Sequence, residues 1–177
     1  DLPSTQLRAL LTKLAELYDG QLNDPAKAIH CYQRSTDIDP EDASALDALE
    51  TLYTRDQKWA ELLDVYRRKV ELENDPAVRE GLRFKIASLQ EDMLASPDDA
   101  ITTYTEILAD DDLNLRAIAA LDRLYQSRQK WPELAENLAR QLALVGDPEQ
   151  QVELSLRLGG VRLRQLGQTA LAVETYS

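Results

Sequence analysis

Cysteine and histidine are almost missing from this 177-residue chain, which has one of each, Cys31 and His30. A single cysteine excludes an internal disulfide and suits a reducing compartment, so the cytoplasm is slightly favoured although no targeting pattern is present. Adjacent residues point about 100° apart on a helix, which makes His30 and Cys31 a poor pair of metal ligands. We predict that both are surface or edge residues without a chemical role.

The sequence also lacks the motifs that usually carry catalysis. It has no Gly-rich phosphate loop, no His-Glu zinc motif and no Ser-His-Asp set. The acidic clusters Asp98-Asp99 and Asp110-Asp111-Asp112 do not have the alternating ligand spacing and central glycine of a calcium loop. We therefore predict a protein that is not an enzyme and that binds no cofactor and no metal.

No apolar run approaches the roughly 20 residues that a membrane-crossing helix needs, so membrane insertion is not predicted. Positive charge is also scarce, with 20 basic against 32 acidic side chains and a net charge of −12. Residues 1–112 carry a net charge of −13, whereas residues 113–177 carry +1. An acidic surface repels phosphate backbones, so no nucleic-acid partner is predicted. The acidity either maintains solubility or forms a charge gradient that a partner recognises.

What is abundant favours helix throughout. Ala, Leu, Glu, Gln and Arg dominate, and runs of strand-favouring residues are absent. Asp24-Pro25, Asp75-Pro76 and Asp147-Pro148 each predict a helix start, because Asp caps free N–H groups and Pro needs no partner there. Ser96-Pro97 predicts the same device. Helical spacing predicts that one face of the first helix points inward; its residues are Leu7, Leu10, Leu11, Leu14, Leu17 and Tyr18. On the fifth helix the same spacing predicts that Met93 faces inward.

The chain repeats itself after 72 residues without a gap. Residues 57–76, QKWAELLDVYRRKVELENDP, return at 129–148 as QKWPELAENLARQLALVGDP, with nine of twenty positions identical. Ala28, Ala100 and Ala172 coincide under the same shift. Ten short helices with short connections predict antiparallel hairpins, and the module that repeats is a double hairpin.

The hairpins resemble the tetratricopeptide repeat (TPR), a helix pair of about 34 residues with small and aromatic residues at fixed offsets. The matching residues are Leu14, Ala15, Tyr18, Ala28, Tyr32 and Pro40, then Ile86, Ala87, Ala100 and Tyr104, then Leu158, Gly159, Ala172 and Tyr176. The resemblance implies an all-α, right-handed α-solenoid of antiparallel helix hairpins. It predicts one segment of about five units, the last truncated, excised from a longer chain; the units are residues 8–42, 43–79, 80–114, 115–151 and 152–177.

The even-numbered hairpins depart from the TPR pattern. Glu50 and Asp122 stand where the small residue of the first helix belongs, and Leu62 and Leu134 replace the small residue of the second. These larger side chains predict a wider helix spacing or a rotated first helix. Trp59 and Trp131, at the turn into the second helix, are either ligand anchors or packing wedges, and the packing interpretation is favoured.

In proteins that resemble this one, partners lie along the concave surface lined by first helices. The corresponding outward positions predict a groove that changes from acidic to basic, with Phe84 near its middle; it comprises Thr12, Glu16, Asp19, Asp47, Thr51, Phe84, Ser88, Glu91, Arg116, Arg123 and Gln126. Arg116 and Arg123 either hold a carboxylate or phosphate or form salt bridges to neighbouring acids. The TPR subclass that clamps a terminal carboxylate uses lysines at positions that here hold Thr12, Asp47, Phe84 and Ala119, so that ligand is disfavoured.

The function that follows is a non-catalytic scaffold segment that binds a protein or peptide along its concave face. The alternative is a structural spacer or self-association module, with the truncated C-terminal end exposing apolar surface. A third, less favoured reading is an RNA-processing helical repeat, against which the acidity of residues 1–112 argues.

Overall fold

The computed structural model describes residues 3–177, and these form ten α-helices and no strand. The chain divides into two compact units, unit 1 up to Ala95 and unit 2 from Ser96 to Ser177. The helices of unit 1 are α1 Ser4–Gly20, α2 Pro25–Ile38, α3 Ala43–Arg55, α4 Trp59–Leu72 and α5 Pro76–Asp92. Those of unit 2 are α6 Pro97–Asp110, α7 Leu115–Ser127, α8 Trp131–Leu144, α9 Pro148–Arg164 and α10 Thr169–Tyr176.

The helix starts follow from local capping. The Asp24 side chain accepts a hydrogen bond from the Lys27 backbone N–H, and Asp75 and Asp147 cap α5 and α9 in the same way. Each of these caps is followed by a proline at the first helical position, as the sequence predicts. Ser96 is different, because its side chain makes no cap hydrogen bond although Pro97 still begins α6.

Within each unit, consecutive helices pack on one another, so the predicted all-α solenoid of helix hairpins is confirmed. In unit 1 the small residues allow close approach, since Ala15 on α1 and Ala28 on α2 are both fully buried in one apolar core. Trp59 packs at the edge of that core, as the wedge interpretation predicts. Trp131 packs in the same way against a buried apolar cluster of unit 2 that contains Leu134, Leu138 and Leu158.

The last hairpin of unit 2 depends on a glycine. A Cβ added at Gly159 of α9 would lie 2.3 Å from the ring of Tyr176 on α10. The absence of a side chain at Gly159 therefore lets α10 approach α9. Ala172 on α10 is buried, whereas Val173 and Tyr176 are exposed.

The predicted inward stripe of α1 is only partly inward. Leu11 is buried, but Leu10 is 53% exposed and Leu14 and Leu17 are exposed as well. The residues at the equivalent positions of α5 are buried because α4 packs on that helix; they are Leu82, Ile86 and Leu89. Among the described residues, α1 packs on α2, which leaves the other face of α1 open to solvent. Met93, also predicted to face inward, is exposed at the end of α5.

Cys31 corrects a second prediction. It is 4% exposed and belongs to the core of unit 1, so it is not a surface residue, whereas His30 beside it is exposed as predicted. Burial raises the pKa of the Cys31 thiol above its ordinary value, although the charge of Arg34 acts in the opposite direction.

One turn recurs three times with a left-handed backbone. Asn23, Ala95 and Gly167 are separated by 72 residues each and have φ angles of 48°, 51° and 64°. Gly adopts this region without steric cost and Asn tolerates it, but the Cβ of Ala makes it unfavourable. The repeat therefore keeps the turn geometry while changing the residue that must adopt it.

Candidate functional site

The predicted groove residues are divided between the two units, and each unit is described by itself. In unit 1, Thr12, Glu16 and Asp19 lie on α1, and Asp47 and Thr51 lie on α3. Glu16, Asp47 and Thr51 are exposed, whereas Thr12 and Asp19 are half-buried. Asp19 already accepts a hydrogen bond of 2.8 Å from Arg55 at the end of α3. The acidic character predicted for this surface is therefore partly neutralised.

Phe84 does not face outward, so that part of the prediction is wrong. Its side chain is only 4% exposed. The equivalent residue of α9, Leu156, is exposed. The neighbouring groove residues on α5 remain more accessible. Ser88 is exposed and donates a hydrogen bond of 3.0 Å to Asp92, and Glu91 is half-buried.

In unit 2, Arg116, Arg123 and Gln126 are all exposed on α7, as predicted. Gln126 accepts a hydrogen bond of 3.3 Å from Arg157 of α9. This contact places Gln126 beside an arginine that the sequence analysis did not select.

Unit 1 contains a cleft of about 540 Å³ between α3, α4 and α5, which we call the unit 1 cleft. Of the predicted groove residues it contains Asp47. Apolar and charged side chains line it together; they are Glu41, Ala43, Leu46, Asp47, Glu50, Lys69, Leu72, Glu73, Val78, Leu82 and Lys85.

Glu50 is the centre of the charged group in the unit 1 cleft. One carboxylate oxygen of this α3 residue accepts a hydrogen bond from Lys69 of α4, and the other accepts one of 2.9 Å from Lys85 of α5. Lys69 also donates to Asp47 at 2.6 Å. A single carboxylate thus links three helices at the position where the TPR pattern has a small residue.

The neighbours of Glu50 determine its protonation. Burial alone would raise the pKa of Glu50, but hydrogen bonds and charge from Lys69 and Lys85 outweigh it and lower the pKa below its ordinary value. Burial would lower the pKa of Lys69, yet its bonds to Asp47 and Glu50 raise it. Burial, with the nearby charge of Glu50, raises the pKa of Tyr66 to about 12. At neutral pH, Glu50 and Lys69 are therefore charged and Tyr66 is neutral.

Unit 2 repeats this ion pair 72 residues later with different side chains. Asp122 of α7 accepts two hydrogen bonds from Arg157 of α9, at 2.8 and 2.9 Å, in a bidentate pair. The place of Lys69 is taken by Gln141, whose Nε2 is buried and has no hydrogen-bond partner among residues 3–177. Glu50–Lys85 and Asp122–Arg157 are both 35 residues apart in the sequence. This acid–base spacing, present in both copies, is the signal by which the pairs could have been found.

A second cleft, of about 250 Å³, lies between α7, α8 and α9 and is called the unit 2 cleft. It is mostly apolar. It is lined by the buried or half-buried Trp131, Leu134, Leu138, Arg157, Gly160 and Val161, and the exposed Gln126, Arg164 and Gln165 lie at its mouth.

Among residues 3–177, no group of three or more His, Cys, Asp or Glu side chains could hold a metal ion. No helix in that range combines the length and the apolar character required to cross a membrane. Both clefts combine apolar and charged side chains, as the surfaces of protein–protein interfaces do.

A tetratricopeptide repeat family model matches residues 45–80 and 117–152. These segments are the even-numbered hairpins, each followed by the start of the next helix. The chain is a TPR-like helical repeat protein. The match lies in the hairpins that depart from the small-residue pattern, so the TPR-like character extends beyond the odd-numbered ones.

Solved structures similar to this TPR-like chain include a MamA protein, with 14% identity, a TM-score of 0.49, and 97% of this chain and 89% of that chain covered. MamA from Desulfovibrio magneticus RS-1 has 12% identity and a TM-score of 0.46, covering 96% and 91%. YrrB, described as a TPR protein with an unusual peptide-binding site, has 13% identity and a TM-score of 0.49, covering 93% and 80%. No curated protein matches the sequence significantly.

Proposed function

We propose that the chain is a non-catalytic scaffold segment that binds a protein or peptide along the first helices of its hairpins. A TPR-like fold supports a protein-interaction role in general terms. The observation that carries the finer proposal is the unit 1 cleft, where exposed apolar side chains lie beside fixed charges.

The chemistry of the unit 1 cleft favours a particular kind of peptide. Leu72 and Val78 are exposed at its wall and offer apolar contact area. Its lining carries four carboxylates against two lysines, and the charge of Glu50 is already shared between both lysines. An extended peptide with apolar side chains and flanking Lys or Arg residues complements this surface.

A display library of random peptides, selected against the full chain, tests the proposal. Titration of the selected peptides should show about a tenfold loss of affinity for Val78→Asp, because a charge then replaces an apolar wall. Leu22→Asp is the matched control, since Leu22 is an exposed leucine of unit 1 outside the cleft. Equal affinity for wild type and Val78→Asp would remove the unit 1 cleft as the binding site.

Self-association is the second candidate, supported by the exposed leucines of α1. Leu10, Leu14 and Leu17 are spaced to lie on one helix face, and their equivalents on α5 are covered by α4. Light scattering over a concentration series should show a mass increase that Leu14→Glu prevents. Leu115→Glu, which changes an exposed leucine of unit 2, is the control. A constant monomer mass would exclude this candidate.

A further inference from the structure

The two copies of the double hairpin differ at the unit 2 cleft. In unit 1 the residue equivalent to Leu138 is Tyr66, and the residue equivalent to Gly160 is Ser88. Tyr66 is buried, and the Nζ of Lys85 lies 5.2 Å from the centre of its ring. A basic group therefore covers an aromatic ring in unit 1, at a distance typical of a cation–π contact.

Unit 2 keeps the basic group and lacks the ring. Arg157 stands at the position of Lys85 and is held in place by its bidentate pair with Asp122. Leu138 is shorter than tyrosine and is itself fully buried, and both Leu138 and Arg157 line the unit 2 cleft. Trp131, which is half-buried, also lines this cleft.

The charge at the mouth is reversed between the copies. Unit 1 has Asp92, which accepts a hydrogen bond from Ser88, whereas unit 2 has Arg164 at the same position. Because Gly160 has no side chain, the Arg164 guanidinium can lie close to its backbone; a Cβ there would be 2.7 Å from Nη2. Two guanidinium groups thus flank the unit 2 cleft, and one acid, Asp122, is already paired with Arg157.

We propose that the unit 2 cleft binds an aromatic side chain of an acidic peptide. The ring enters beneath Arg157 and packs on Trp131, taking the place that Tyr66 fills in unit 1. A carboxylate next to the aromatic residue pairs with Arg164. This inference rests on the proposed role in peptide binding and names the peptide chemistry for unit 2.

Two model peptides, acetyl-EEFEE-amide and acetyl-EEAEE-amide, test the aromatic part by NMR titration of the full ¹⁵N-labelled chain. The Phe peptide should bind about tenfold more tightly, because it buries a ring that the Ala peptide lacks. The indole signal of Trp131 should shift while that of Trp59, its counterpart in unit 1, stays in place. Equal binding of the two peptides, or a shift at Trp59 alone, would overturn the proposal.

Variants test the position of the site. Arg164→Asp places the aspartate of unit 1 at the equivalent exposed position and should lower the affinity for the Phe peptide at least tenfold. Arg140→Asp, which changes an exposed arginine outside this cleft, should leave that affinity unchanged. Leu138→Tyr should fill the space and remove the Trp131 shift, and Leu138→Met should retain it. Unchanged binding in Arg164→Asp would overturn the proposal even where Leu138→Tyr fails to fold.

The inference and the proposed function can fail separately. Peptides selected from the random library report on the unit 1 cleft through Val78→Asp, a change of a residue that lines that cleft. If those peptides respond to Val78→Asp while the Phe peptide fails to bind, only the unit 2 inference is wrong. If the Phe peptide binds as predicted and Val78→Asp does not change the affinity of the selected peptides, the assignment of the unit 1 site is wrong.

Discussion

Glu50 in unit 1 and Asp122 in unit 2 occupy equivalent positions, yet their surroundings have diverged. Glu50 is shared by two lysines and borders a tyrosine, whereas Asp122 forms one bidentate pair with Arg157. In both copies an acid and a base join the first helices of two successive hairpins. The residues around that link decide whether the space beside it is filled by the chain itself or left for a partner.

The largest predicted difference between the copies follows removal of the acid. Glu50→Ala should lower the free energy of unfolding by about 2 kcal/mol, because Lys69, only 16% exposed, loses one of its two counter-charges. Asp122→Ala should cost about 1 kcal/mol, since the 36% exposed Arg157 side chain can be hydrated. Urea unfolding checks both values, with Trp131→Phe and Trp59→Phe backgrounds isolating the fluorescence of each unit. Equal losses would show that the two links are energetically alike.

Replacing Gln141 by an apolar residue should stabilise unit 2, whereas the same replacement at the equivalent Lys69 should destabilise unit 1. Its buried Nε2 has no partner within residues 3–177, and an unsatisfied buried polar group costs about 1–3 kcal/mol. Gln141→Leu should therefore raise the free energy of unfolding of unit 2 by about 1 kcal/mol. Lys69→Leu should lower that of unit 1, because it leaves Glu50 with one base. A loss in Gln141→Leu, measured in the same urea assay, would contradict this reading of the amide.

The left-handed turns give a smaller contrast. Ala95→Gly should stabilise unit 1 by about 0.5–1 kcal/mol, because the strain on the Cβ at positive φ is removed at some cost in chain entropy. Asn23→Ala should be destabilising by a similar or lesser amount. Thermal unfolding measures both, and a lower midpoint for Ala95→Gly would show that the turn is not strained.

The smallest effect is a pH dependence of unit 1 that depends on Glu50. The pKa of Glu50 is lower in the folded state than its ordinary value, so its stabilising contribution is present above the ordinary pKa of 4.5 and is lost as pH falls through the folded value. Glu50→Gln should therefore flatten the fall in stability below about pH 4.5. Unfolding in the Trp131→Phe background between pH 3 and 6 measures it, and identical slopes for variant and parent would refute the link.

How far the sequence predicts the molecule depends on how local each cause is. Helix starts at Pro25, Pro76 and Pro148 follow from the residue before each, so they are predictable within a residue or two. Whether a side chain is exposed depends less on its neighbours in the sequence. Phe84 and Cys31 were expected at the surface but are enclosed, because other helices determine what is covered.

The clefts were missed for a related reason. Glu50 and Asp122 were recognised as departures from the TPR pattern, but their partners are 35 residues away and on a different hairpin. Comparing the two 72-residue copies position by position would have paired Lys85 with Arg157 and exposed the Tyr66-to-Leu138 difference. The size of a cleft, however, depends on packing and needed the structure.

The buried thiol of Cys31 can be used to measure how often unit 1 opens. It is the sole cysteine, it is shielded in α2 of unit 1, and burial raises its pKa, so it carries little reactive thiolate in the closed state. Alkylation by iodoacetamide must then wait for unit 1 to open, and its rate counts those openings. Unit 2 contributes no signal. Slower alkylation in the presence of a selected peptide would therefore measure how strongly that peptide stabilises unit 1 against opening.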